Sequence, residues 1–149
     1  QNGFGSELQA SNVITPIIDL TSTAEGTGLR QDLQTALAFG SQTVFAAENN
    51  TVALASSPGF YRVVGTASVT AGSGAATFAM TDGLSTKSII TYRSIGSDDD
   101  NEFFDLTFWL EPGITLNATS NSTNVSMRGS IRQVADSQGQ FVNPSGYPL

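Results

Sequence analysis

Asn101-Glu102-Phe103-Phe104-Asp105-Leu106-Thr107-Phe108-Trp109-Leu110-Glu111-Pro112-Gly113-Ile114-Thr115-Leu116 decides how this chain folds. Phe104, Leu106, Phe108 and Leu110 recur at every second residue, the period of a strand with one buried face. Pro112-Gly113 cannot continue a ladder and turns Asn101 to Glu111 into a second strand, Ile114 to Ala118.

The same rhythm runs outward in both directions. Thr43 to Ala47 and Thr51 to Ala55 flank Glu48-Asn49-Asn50 as a hairpin-like pair. Ser57-Pro58-Gly59 turns into Phe60 to Thr70, with Tyr61, Val63, Gly65, Ala67 and Val69 on one face. Arg62, Thr66, Ser68 and Thr70 share the other face with Val64. Beyond Ala71-Gly72-Ser73-Gly74, Ala75 to Thr81 places Ala76, Phe78 and Met80 together. Asp82-Gly83 closes that strand, and Lys87 to Ile95 forms the next. Downstream, Thr123 to Val134 sets Val125, Met127, Gly129 and Ile131 against Ser126, Arg128, Ser130 and Arg132. Short strands at this spacing predict an all-β protein, a jelly-roll β-sandwich. The chain shows no repeat of the length that builds solenoids or propellers.

The pattern changes ahead of Thr43. Leu29, Leu33, Ala36 and Leu37 form a helical stripe between Thr27, a plausible N-cap, and Gly40, a left-handed stop. A helix over residues 27–40 is too short to stand alone and is expected to lie on the sandwich. Before it, Val13-Ile14-Thr15-Pro16-Ile17-Ile18-Asp19-Leu20 is apolar, and Pro16 bars it from a central strand. The expected plan is therefore an extended arm over 1–26, the helix at 27–40, the jelly-roll domain at 41–136 and a tail at 137–149. Ser137 to Leu149 carries Pro144, Gly146 and Pro148 and reads as an ordered arm or a loose end.

Composition narrows the chemistry. The 149 residues include no histidine, no cysteine and one lysine, Lys87. Proton shuttles, soft-metal ligands and activated nucleophiles come mostly from those residue types. Charged residues make up only 13%, so the surface is built from hydroxyls, amides and small side chains. A net charge of −7 argues against a nucleic-acid partner, which needs clustered Lys and Arg. No apolar run approaches the roughly 20 residues that span a bilayer, and no signal-peptide pattern opens the sequence, so no membrane partner is expected.

Individual clusters point the same way. Asp98-Asp99-Asp100-Asn101-Glu102 is acidic but lacks the alternating spacing of an EF-hand loop, so it reads as a solvated loop before a Ca²⁺ site. Asp105 and Glu111 lie six residues apart on one strand face, about 20 Å at roughly 3.3 Å per residue, too far for a glycosidase pair. No base attends the serines. Four Asn-x-Ser/Thr sequons, at Asn49, Asn117, Asn121 and Asn124, are what a chain rich in these residues produces by chance. The expectation is a binding protein, not an enzyme, with no cofactor and no metal. Trp109 and Phe103 face away from the core-directed side of their strand, as an interface, a ligand platform or a site for a covering helix.

Three landmarks carry a resemblance. Pro58-Gly59-Phe60-Tyr61-Arg62-Val63 opens a long strand, Leu106 to Leu116 forms the hairpin around Pro112-Gly113, and Gly129-Ser130-Ile131 lies in the last strand. In this order, over Thr43 to Asp136, they resemble the jelly roll of the tumour necrosis factor and complement globular-head superfamily. Ile114 stands where that family carries an acidic residue after the glycine. The texture as a whole resembles virion structural proteins of tailed bacteriophages: capsid decoration proteins, head fibres and tail appendages. The resemblance implies a virion location, a homotrimer, and attachment to other virion proteins such as the major capsid protein. The candidate interface residues are Val13, Ile14, Ile17, Ile18, Phe103 and Trp109. The alternative expectation is a carbohydrate-binding adhesin or receptor-binding tip that takes a host-surface glycan on Trp109.

Overall fold

A computed structural model describes residues 30–146. Eight strands form two four-stranded antiparallel sheets: β1 Thr43–Glu48, β2 Thr51–Ala55, β3 Gly59–Val69, β4 Ala75–Thr81, β5 Thr86–Arg93, β6 Asp100–Leu110, β7 Thr115–Ser120 and β8 Val125–Ala135. One sheet has the order β1-β8-β3-β6 and the other β2-β7-β4-β5. First pairs with last, second with seventh, third with sixth and fourth with fifth. A single long hairpin wound around itself gives this pairing, which is the jelly roll the alternation predicts.

The faces fall as the sequence rhythm requires. Tyr61, Val63, Ala67, Phe104, Phe108, Leu110, Val125, Met127 and Ile131 of the first sheet are buried against Ala76, Phe78, Leu116 and Ala118 of the second. At the centre a row runs Phe45–Gly129–Gly65–Phe104 straight across four strands. Phe45 and Phe104 stand three strand spacings apart, about 14 Å at roughly 4.8 Å each. Their rings nonetheless approach to 6.5 Å, because the two glycines between them carry no side chains. Phe78 closes over both from the opposite sheet, edge-on at 6.3 Å to Phe45 and 5.0 Å to Phe104. Aromatic pairs of this kind contribute about 0.5–1.5 kcal/mol each beyond burial.

The outer face of the second sheet is a field of hydroxyls. Thr51, Thr119, Thr77 and Thr91 stand in one cross-strand row. Thr119 donates to Thr51 at 3.2 Å, and Thr77 and Thr91 share a bond of 3.1 Å.

The segment before β1 departs from its helical stripe. Among the described residues of the segment the helix is Gln31–Gln34, followed by a 3₁₀ turn at Phe39–Ser41. Leu33 and Leu37 are exposed, and the buried residue is Gln34. The reason lies underneath: the sheet face below presents Arg62 and Arg132, so a leucine stripe has no apolar surface to cover, while backbone carbonyls have strong donors to meet.

Candidate functional site

The outer face of the first sheet carries the chain's concentration of charged and aromatic side chains. Arg62 on β3 is the cross-strand neighbour of Arg132 on β8, and two guanidiniums side by side require compensation. Asp105 on β6 supplies it for Arg62. Arg62 Nε donates to Asp105 Oδ1 at 2.9 Å and Nη2 to Oδ2 at 2.8 Å, a two-pronged pairing. These bonds hold the Asp105 carboxyl below its ordinary range and the Arg62 guanidinium above its own.

Arg132 is compensated differently. It points outward from its sheet yet is only 2% exposed, because the two terminal segments lie over it. Its Nη1 donates to the Gln34 carbonyl at 2.6 Å and its Nη2 to the Val142 carbonyl at 2.7 Å. Arg62 Nη1 adds a bond of 3.0 Å to the Thr35 carbonyl. Burial and the neighbouring Arg62 charge both pull the Arg132 pKa down. Phe141 forms a bridge to Ala135, and the Val142 N–H donates to the Val134 carbonyl at 2.9 Å, extending the sheet where β1 has ended. Ser145 and Ser41 then tie the two segments to each other at 2.6 Å.

Aromatic groups border this clamp. Phe60 and Trp109 are cross-strand partners whose rings meet at 4.7 Å with a 36° tilt. A cleft of about 400 Å³ opens beside them, lined by Gln31, Thr35, Phe60, Thr107, Val134 and Phe141. Trp109 remains 39% exposed, so no helix within the described residues covers it. Phe103, further along β6, is 72% exposed beside Thr66. Phe103 and Trp109 thus share one face, as the strand rhythm places them. Val13, Ile14, Ile17 and Ile18 lie outside the described residues.

The remaining clusters hold less. Asp99 Oδ1 accepts the Ala71 N–H at 3.0 Å. Among the described residues no three carboxylates converge as an ion site. Asp105 is committed to Arg62, and Glu48 to Arg128.

Two crystal structures, both described as a pentameric capsid protein isolated from metagenomic phage sequences, align over 84% of this chain at 38% sequence identity. They superpose with TM-scores of 0.74 and 0.73, and the aligned part spans 80% and 81% of those chains. The chain belongs to this family of phage capsid proteins. No protein-family model and no curated protein matches it.

As a phage structural protein it carries its notable residues on the outer face of a sandwich, not in an enclosed pocket. The strand rhythm placed Trp109 and Phe103 on this face but gave no sign of the clamp built on Arg62 and Arg132. Alternation assigns a residue to a side of its sheet; it carries no information on whether terminal segments later cover that side. The available signal was two arginines on one face in a chain with only six cationic residues.

Proposed function

We propose that this protein is a building block of a phage capsid that works as a ring of five copies. The observation that carries the reading is the 38% identity, over most of both chains, to a capsid protein that is itself pentameric. The trimeric decoration protein or fibre knob was implied by the resemblance to tailed-phage virion proteins, which rested on overall texture. The pentameric relatives match over 84% of the chain, and five copies replace three as the favoured assembly. Contacts to other virion proteins, such as a major capsid protein, fit the same surface chemistry: few charges, many small polar groups and a few large exposed apolar side chains.

Native mass spectrometry of the purified chain tests this directly. The expected species has five times the 15.5 kDa chain mass. A stable trimer restores the knob reading, and a strict monomer at micromolar concentration removes both. The aromatic cleft beside Phe60 and Trp109 favours one second reading, a tip that binds a host glycan. In that case Trp109→Ala abolishes retention on immobilised glycans while the assembly mass is unchanged.

A further inference from the structure

A closed ring with an odd number of copies is built from heterologous contacts, so each copy presents two different patches on opposite flanks. This sandwich has two flanks: the edges of β1 and β2, and the edges of β5 and β6. Edge strands such as these offer unpaired backbone groups that must be covered or protected.

The two flanks differ in a complementary way. On β1, Val44 is 81% exposed and borders a shallow hollow of about 410 Å³ shared with Ala46, Arg128 and Gly129. Arg128 meets Glu48 at 2.9 Å and stays largely exposed. On the far flank, Phe103 projects from β6 at the other end of the row Ala46–Arg128–Thr66–Phe103. Behind it a cavity of about 760 Å³ between β5 and β6 is lined by Tyr92, Ile95 and four carboxylates, Asp98, Asp99, Asp100 and Glu102, against one cation, Arg93, so this flank is acidic on balance. Joining two such acidic flanks sets carboxylate against carboxylate. Joining opposite flanks sets the Arg128 guanidinium against the carboxylates and Phe103 against the Val44 hollow.

We infer that the five-fold seam runs between the β1 flank of one copy, with Val44 and Arg128, and the β5–β6 flank of the next, with Phe103 and the Asp98–Glu102 carboxylates. The inference rests on the pentameric reading and adds which surfaces meet.

The absence of native cysteine makes the test clean. Val44→Cys and Phe103→Cys are made singly and together, both at exposed positions, and treated with a short bismaleimide. The double variant is expected to give a denaturing-gel ladder that ends at five chains. The two single variants assembled as a mixture should stop at dimers, and each alone should give none. Val44→Cys combined with Leu84→Cys, at the β4–β5 turn, should give no ladder. Self-crosslinking of either single variant overturns the seam. A double variant that stays uncrosslinked although native mass spectrometry shows five copies overturns the seam and leaves the pentamer standing. A double variant and parent chain that both lack the five-fold mass overturn both.

Discussion

Gly129→Ala is the sharpest probe of the core. A Cβ built on Gly129 falls 2.1 Å from the Val64 carbonyl oxygen and 2.9 Å from Gly65 Cα. An ordinary carbon–oxygen contact is about 3.3 Å or more, so two central strands must part by roughly 1 Å. Backbone, not a flexible side chain, stands in the way. Overpacking of this kind costs about 1–3 kcal/mol. Parting β3 from β8 also separates Phe45 from Phe104 and loosens Phe78 against both, forfeiting part of about 0.5–1.5 kcal/mol per pair. The expected loss is about 2–4 kcal/mol, a fall in Tm of roughly 5–15 °C for a domain of this size. Urea unfolding followed by fluorescence of the single tryptophan, Trp109, and by far-ultraviolet circular dichroism measures it, at fixed protein concentration because assembly contributes to stability. Gly113→Ala is the control: nothing lies within 4 Å of its Cβ and only its φ of +86° resists, so its cost should be about 1–2 kcal/mol. Gly65→Ala combined with Gly129→Ala should cost less than the two singly, since the first has already opened the gap. A Gly129→Ala loss below about 0.5 kcal/mol would refute the view that the paired glycines let the phenylalanines meet.

Two further outcomes follow from the outer face. Asp105→Asn should lower stability at neutral pH by about 1 kcal/mol or less, because the pair is partly solvated. The Asp105 carboxyl is depressed in the folded state, so its contribution is present above the unfolded carboxylate pKa of about 3.9 and disappears as pH falls through the lower folded value. The stability curve of the variant should therefore be flatter than that of the parent below about pH 4, as read by urea titrations at stepped pH. Arg132→Ala should cost about 2–3 kcal/mol, since two charge-assisted bonds, one buried and one part-buried, are lost. Amide exchange should rise together in the segments around Gln34 and Val142, and a rise in one segment only would contradict the clamp.

The strands were legible because each is long enough to show its period and has one apolar side. Phe60 to Thr70 and Asn101 to Glu111 were displaced by no more than one residue from the observed β3 and β6. The winding itself, first strand against last, is a matter of register across the whole chain and is not written in any local stretch. The helix failed for a definable reason. Leu33 and Leu37 repeat correctly for an amphipathic helix, but amphipathicity assumes an apolar surface to receive it, and Arg62 and Arg132 supplied the opposite. Trp109 and Phe103 could be assigned to the outward side from alternation alone. The relation of Phe103 to Arg128 could not, because the row Arg128–Thr66–Phe103 that joins them crosses strands distant in sequence.

One guanidinium grips both ends of the described chain. Because Gln34 and Val142 answer to the same Arg132, neither segment can peel away without stranding a buried cation for the other. Their release is therefore a joint event: a particle that loosened one end during maturation or entry would loosen its mate in the same step, and a partner that pinned one would stiffen both.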